Sequence, residues 1–516
     1  MWSPPQRLVQ DSLLASARDT PGKASVIDEA VSRSYAEVLG EAQGLAHALQ
    51  EEGLARGDRV AVFLDNTAEC AAAIFGVLLA GGAFIVVNPQ TKAEKLAYML
   101  ADSEATFLLT EAHSAHVAYE AVSDAASVKR VFSTPGDSLP AGFLDLRQAI
   151  AAAGTEVREI ATIPSDLAAL IYTSGTTGEP KGVMMSHQSL VFTIGSIAEY
   201  LRLDSDDRIL SVLPLAFTYG LSQLLLAMRL GGTLLLERSF AFPAKTMARI
   251  RAEEATVFPA VPTVFTTLLG TSPRPVFPSV RRLTNAAAGL APTLHEGLAE
   301  IFPNALLFRM YGLTECMRVC YLEPELLETK PTSVGRAIPG TETFVLDDDG
   351  RPVEPGETGV LHSRGPHVML GYWKAPDLTA HMLVDGPLPG ERTLRTNDRF
   401  TIDEDGLLYF VGRSDDIIKT RGEKVSAIEV ENALHAMPGI RQAAVVGVPD
   451  ELLGQAVRAF VVLDDGVALS AQEIIRYSRA RLENFMVPKE VVLLAELPHT
   501  DSGKVRKRSL VETELD

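Results

Sequence analysis

At 516 residues, with 47% hydrophobic and 22% charged residues, the chain has the balance of a soluble globular protein. Its length exceeds what one ordinary core accommodates, so two or more domains are expected. A formal net charge of -19 excludes a non-specific binder of nucleic acid or of anionic membranes, because phosphate-rich surfaces need a cationic face. The three cysteines, Cys70, Cys316 and Cys320, are too few for a disulfide framework. No second Cys or His pair completes a zinc site around Cys316 and Cys320, so reduced thiols in a cytoplasmic protein are expected.

In chain order, Met1-Trp2-Ser3-Pro4-Pro5 lacks the basic segment and apolar run of a signal peptide. The uncharged stretch from Ala71 to Val87 is nearly long enough to span a bilayer. Gly81-Gly82 divides it, however, and the expectation is a buried helix, a turn and the apolar strand Phe84-Ile85-Val86-Val87, with no stable membrane span. Other apolar runs, Arg59 to Leu64, Thr106 to Leu109 and Gly232 to Leu236, alternate with Ala/Leu-rich helical stretches up to about residue 410. That alternation predicts βαβ units and mostly parallel sheets. The 152–163 stretch reads as a surface loop.

From about residue 340 the pattern changes to short alternating segments punctuated by Asp349-Gly350 and Pro355-Gly356, which predicts an antiparallel meander or small barrel. Beyond Gly412 a helix from Ala427 to Ala436 and strands at Ala443–Val446 and Ala459–Val462 suffice for a small α+β domain. The expected fold is therefore α/β. A large N-terminal domain (1–414) of mostly parallel sheets with helices, carrying a small β-barrel-like subdomain, precedes a small C-terminal α+β domain (415–516).

The segment Tyr172-Thr173-Ser174-Gly175-Thr176-Thr177-Gly178-Glu179-Pro180-Lys181-Gly182 directly follows the apolar strand Leu167–Ile171. Glycines leave backbone N–H groups unhindered, hydroxyls add donors and Lys181 adds charge, which together suit a polyphosphate. It is not a Walker A loop, since its second glycine is not followed directly by Lys and Ser/Thr. A polar surface turn is the bland alternative, and the concentration of hydroxyls and glycines after a buried strand weighs against it.

This segment resembles the phosphate-binding signature of the acyl-adenylate-forming superfamily, which includes acyl-CoA synthetases, peptide-synthetase adenylation domains and firefly luciferase. Further segments resemble that family's motifs in the family's order, over about residues 25 to 510. Tyr311-Gly312-Leu313-Thr314-Glu315 is similar to the motif whose tyrosine packs on adenine, whose threonine contacts the α-phosphate and whose glutamate helps hold Mg²⁺. A hard anionic ligand beside a neutral donor suits a metal that bridges phosphate oxygens. Thr396-Asn397-Asp398 stands where T-G-D is usual, its aspartate binding both ribose hydroxyls. Asn397 replaces glycine there, and since asparagine takes positive φ more readily than most residues, the turn is expected to survive.

Gly412-Arg413-Ser414-Asp415-Asp416, with Arg421-Gly422-Glu423-Lys424-Val425, resembles the family's inter-domain hinge and the loop after it. Asp415 is the implied hinge, and Gly422 with Lys424 the loop that approaches the thiol acceptor, where a side chain would obstruct a narrow tunnel. Leu497-Pro498-His499-Thr500-Asp501-Ser502-Gly503-Lys504 resembles the C-terminal signature whose lysine, Lys504, binds the reacting carboxylate and the α-phosphate. Alone, Lys504 would be an ordinary solvated tail charge and Glu315 a solvated glutamate; their motif context changes the reading.

The resemblance implies activation of a small carboxylic acid by ATP and Mg²⁺ as its acyl-adenylate, then transfer to a thiol as the small domain rotates about Asp415. Lys504, Thr176 and Glu315 are the implied catalytic residues, with Thr176 and Glu315 at the metal. Thr173, Ser174, Gly175, Thr176, Thr177, Gly178, Lys181, Tyr311, Gly312, Thr314, Asp398 and Arg413 are implied for the nucleotide. Leu213 to Gly220 matches the segment that lines the acyl pocket. Thr218 stands where amino-acid-activating relatives place aspartate, and an unpaired ammonium would be costly to bury, so an α-amino acid is disfavoured. Phe217, Tyr219, Ala287, Ala288, Gly289 and Leu313 suggest an apolar pocket for an aryl or medium-length acyl group; plain core packing is the alternative.

The expected acceptor is CoA. A ligase loading the phosphopantetheine arm of an acyl carrier protein shares the same motifs, and a luciferase-like monooxygenase is a distant third reading. A degenerate binding protein is disfavoured because Lys504, Glu315 and Asp398 are all present. The oligomeric state is open, with a homodimer as one option.

Overall fold

The structure is a computed structural model that describes residues 6–511, apart from 137, 155, 175–179, 287–288, 414–416, 421–422, 451–452, 483 and 501–503. Its first sheet has eight strands in the order 371–372, 180–186, 167–174, 83–86, 59–63, 107–110, 130–133 and 143–145. All neighbours pair in parallel except in the hairpin 167–174/180–186 and its edge strand 371–372. The second sheet has nine strands, with 306–311, 282–285, 257–260, 208–211, 233–236 and 24–27 running parallel at its centre. These strands are Val/Ile/Leu/Phe-rich because helices cover both faces, so a solvent-facing alternation would have nowhere to point.

The apolar 71–87 stretch forms the helix Ala68–Leu79 and the fully buried strand Ala83–Val86. Thr67 fixes the helix start by accepting the Cys70 N–H on its side chain, as an N-cap should. Gly76 lets this helix lie against Tyr35–Glu51, where an added Cβ would come 2.9 Å from a Leu45 methyl. Helix Tyr35–Glu51 has its own start signal, a capping box between Ser34 and Glu37. Among the described residues no helix is long and apolar enough to cross a membrane.

Residues 342–413 form an open antiparallel sheet of five strands, 342–346, 358–364, 392–402, 383–385 and 408–413. No closed barrel forms among the described residues. Asn397 lies inside the strand Arg392–Ile402 and is absent from the residues with positive φ. Residues 396–398 bulge out of the ladder, three residues standing opposite Leu361 between the pairs Arg395–His362 and Arg399–Val360, without a positive φ, so asparagine's tolerance of left-handed conformations is not called upon. The C-terminal residues build a further sheet, with 440–450 and 454–463 at its heart, around their own apolar clusters. Cys70, Cys316 and Cys320 are buried free thiols.

Candidate active site

In both large sheets the polar motif residues follow the carboxyl ends of strands, where open α/β sheets place ligands. Tyr311 is the last residue of the buried strand Leu306–Tyr311. Its ring is wedged between Phe400, edge-on at 4.9 Å, and Phe410, roughly parallel at 5.8 Å. Its hydroxyl donates to the Asp398 carboxylate. Burial, reinforced by that anion, raises the phenol well above its usual range, so it remains a donor at every working pH. Asp398 is also faced by Arg413, Nε to Oδ1 3.6 Å, its in-register neighbour across the strand pair. The Asp398 N–H reaches Thr396 Oγ1 at 3.2 Å, and that hydroxyl donates to the Leu361 carbonyl at 2.8 Å.

Gly312 follows Tyr311 because nothing larger fits: a Cβ there would come 2.5 Å from the Met317 carbonyl oxygen. The chain then turns back, with Cys316 N–H donating to Leu313 O at 3.2 Å and Val319 N–H to Tyr311 O at 3.0 Å. This turn presents Thr314 and Glu315. The Glu315 Oε1 accepts a 2.5 Å hydrogen bond from the Tyr372 hydroxyl, and Tyr372 is paired beside Val183 on the hairpin strand. Sequence reasoning missed Tyr372, whose only signal is an aromatic beside Gly371; the partner lies 57 residues away.

Thr173 and Lys181 face each other in register near the hairpin's tip, a strand pair that continues to Ser174 and Pro180. Gly175, Thr176, Thr177 and Gly178 lie outside the described residues, as does the Ser174 side chain. Asp415, Gly422, Ala287 and Ala288 lie outside them too, as does the Lys424 side chain, while the Lys424 backbone pairs with Lys419.

Lys504 sits on a small loop closed by bonds from Thr500 N–H to Lys504 O, 2.7 Å, and from Lys504 N–H to Thr500 Oγ1, 3.1 Å. Leu497 and Leu510, each 3% exposed, pin the two arms of the loop to the C-terminal core. Although Lys504 is exposed as a residue, its ammonium is crowded by protein, which with the Arg413 cation lowers its pKa; Asp398 and Glu315 oppose that shift. The structure thus brings Lys504, Asp398, Glu315 and Arg413 into one electrostatic neighbourhood, from segments separate in sequence.

The acyl-pocket expectations fall on a rigid segment. Asn66 accepts the Leu215 N–H at 3.0 Å and donates to the Leu213 carbonyl at 2.9 Å, an anchor with no local signal in the sequence. Phe217 caps the helix Thr218–Leu230, and Tyr219, 8% exposed, donates its hydroxyl to the Thr284 carbonyl at 2.8 Å. Gly220 permits this packing, since a Cβ would fall 2.1 Å from the Pro214 carbonyl oxygen. Leu313 packs against the main core, whereas Gly289 is exposed with open space around it.

These residues suit a nucleotide and its metal on chemical grounds: a hard carboxylate, a second carboxylate with a phenol donor, and a lysine that feels the charge of both. Residues 13–373 match the AMP-binding enzyme family and residues 429–504 the AMP-binding enzyme C-terminal domain. Feruloyl-CoA synthase of Amycolatopsis sp is 33% identical, over 95% of this chain and 96% of its own. A linear gramicidin synthase polypeptide of Brevibacillus parabrevis is 31% identical over 98% of this chain, which spans 6% of that protein. The ATP-bound structure of MatB from Rhodopseudomonas palustris superposes with a TM-score of 0.88 at 29% identity, covering 98% of each chain. The chain belongs to the AMP-binding enzyme family and is an adenylate-forming enzyme of the acyl/aryl-CoA-ligase type.

Proposed function

We propose that the chain activates an aryl or medium-length carboxylic acid with MgATP and transfers the acyl group to CoA. The observation that carries this reading is the pair of carboxylates Asp398 and Glu315, each held by a tyrosine hydroxyl, in the electrostatic neighbourhood of Lys504. A carboxylate is a poor electrophile, because its leaving group would be oxide. When a carboxylate oxygen attacks the α-phosphorus, the bond to the bridging oxygen breaks and pyrophosphate departs. The mixed anhydride then has AMP as its leaving group. The acceptor's thiolate sulfur bonds to the acyl carbon, AMP departs, and the thiol proton goes to solvent.

In this reading Lys504 offsets repulsion between the incoming carboxylate and the α-phosphate, Thr314 donates to the same phosphate, and Thr173 to Gly178 with Lys181 cradle the leaving pyrophosphate. Tyr311 and Asp398 fix the nucleoside, and Arg413 steadies Asp398. Glu315, oriented by Tyr372, with Thr176 would hold Mg²⁺, which supplies charge neutralisation across the phosphates. Asp415 is the proposed pivot between a domain of residues 1–414 and one of 415–516, bringing Gly422 and Lys424 to the acceptor. Phe217, Tyr219, Ala287, Ala288, Gly289 and Leu313 are the proposed acyl-pocket residues, and the likeness to feruloyl-CoA synthase favours an aryl acid. The full-length likeness to a CoA-forming relative favours CoA over a carrier protein.

The test is AMP and pyrophosphate formation across a panel of carboxylic acids with free CoA. Acid-dependent pyrophosphate release with acyl-CoA accumulation is expected. Adenylate that forms but never transfers to free CoA would redirect the acceptor to a phosphopantetheine arm, and no acid-dependent ATP cleavage would end the reading.

A further inference from the structure

Directly behind the Tyr311–Glu315 turn the chain buries a guanidinium. Met317 has a φ of 59°, a left-handed conformation rare outside glycine, and Arg318 follows it. The Arg318 Cα lies so close to the turn that a Cβ on Gly312 would sit 2.9 Å from it. Arg318 is 3% exposed, and its Nε has no hydrogen-bond partner. Its guanidinium lies over the ring of Tyr219, 5.4 Å from the centroid, and has the neutral Tyr200 hydroxyl as a hydrogen-bond partner. Tyr200, Tyr219, Cys316 and Cys320 are the titratable groups that feel its charge, none of them an anion at neutral pH, since burial raises all four.

Arg249 meets Glu237 at 2.7 Å, whereas the buried Arg309, like Arg318, meets no carboxylate among the described residues; only Arg318 directly follows the Tyr311–Glu315 turn. Among the described residues Arg318 has no carboxylate within ion-pair distance. Leaving a buried cation without a counter-charge is unfavourable, and a cation–π contact offsets only part of the cost. A guanidinium, unlike a lysine ammonium, does not relieve burial by losing its proton. The unmet demand lies between the turn that carries Thr314 and the helix that carries Tyr219.

We infer that Arg318 is a specificity residue that receives a second anionic group, a carboxylate, on the distal part of the acyl substrate. The substrate class is then a dicarboxylic acid, one carboxylate being activated and the other held by the planar fork of Arg318 with Tyr219 beneath it. This rests on the acid-activating reading above and narrows it, replacing an unsubstituted aryl or alkyl acid with one charged at both ends.

The test compares a length series of aliphatic and aryl dicarboxylic acids with their monomethyl esters, following ATP-dependent pyrophosphate release. A site built around a charged partner rejects the analogue that lacks it, so the diacid should exceed its ester by about 100-fold or more in kcat/KM. Arg318→Met should lower kcat/KM for the diacid by about 100-fold, chiefly through KM, and leave the ester within about 3-fold. Arg318→Lys should restore part of the preference. Esters turned over as well as diacids by the wild-type protein, or equal loss of both in Arg318→Met, would overturn the inference; the wild-type comparison decides alone if the variant does not fold. Turnover of esters without diacids would overturn it while leaving the parent reading intact. Pyrophosphate release with no acid of either series would overturn the parent reading and this one together.

Discussion

Asp398 and Lys504 reach the same neighbourhood from different regions of the chain and are held by different means. Asp398 stands on a strand, its carboxylate bonded to Tyr311, its N–H bonded to Thr396, with Phe400 fully buried beside it. Lys504 stands on a loop closed on Thr500 through its own N–H and carbonyl, and its ammonium feels the charges of Asp398, Glu315 and Arg413. The first arrangement is over-determined: several bonds and an aromatic wedge must break together before the carboxylate moves. The second can be withdrawn without disturbing the floor it faces. A binding surface that stays and a charge that can leave are what two successive half-reactions at one site require.

Removing Lys504 is the largest way to break the comparison. A preorganised charge contact of this kind contributes about 10²–10³-fold to rate, so Lys504→Ala should lose that much in acid-dependent pyrophosphate release. Supplied acyl-adenylate should still be transferred to CoA, as read by thioester formation. Asp398→Asn attacks the other side and should raise the nucleotide's Kd by about 10-fold or more, because a charge-assisted acceptor becomes a neutral one, measurable by AMP titration. A smaller effect is expected from Tyr372→Phe. It leaves Glu315 without its hydrogen bond, so the Mg²⁺ concentration for half-maximal activity should rise by roughly 10-fold while acid KM is unchanged.

The pH profile sharpens the contrast further. In its proposed role Lys504 acts protonated, and crowding together with Arg413 holds its pKa below the ordinary 10.5. The alkaline limb of kcat/KM should therefore fall below pH 10.5, and Arg413→Gln should move it upward by removing the neighbouring cation.

Burial lowers His187 to about 4, and its Nδ1 accepts the Val9 N–H at 3.2 Å, so the folded state holds it neutral. The unfolded chain takes up that proton first, so stability should decline as pH drops from 6.5 towards about 4. His187→Gln should flatten this decline by roughly 3 kcal/mol or less, read as Tm against pH.

The α/β pattern was legible because parallel strands buried on both faces read as continuous apolar runs, and Ala71–Val87 resolved into helix and strand at Gly81-Gly82. The motif segments stand out in the sequence because each is a local cluster of glycine, hydroxyl and charge, and their roles are proposals. Their partners do not stand out. Tyr372 beside Glu315, Asn66 under Leu213 and Leu215, and Arg318 over Tyr219 are tertiary juxtapositions with no local period or spacing to betray them. The turn expected at Asn397 is replaced by a bulge inside one strand: the ladder resumes on either side, at Arg395 and Arg399, and that long-range pairing has no local signal in the sequence.

The most direct measurement titrates AMP into wild-type, Lys504→Ala and Asp398→Asn proteins and follows acid-dependent pyrophosphate release in the same samples. A fixed floor under a removable charge predicts that Lys504→Ala binds AMP within about 3-fold of wild type while adenylation falls by about 10²–10³-fold, and that Asp398→Asn shows weakened AMP binding. If Lys504→Ala instead lost nucleotide affinity in proportion to its rate, or adenylated normally, the division of labour between the two regions would be contradicted.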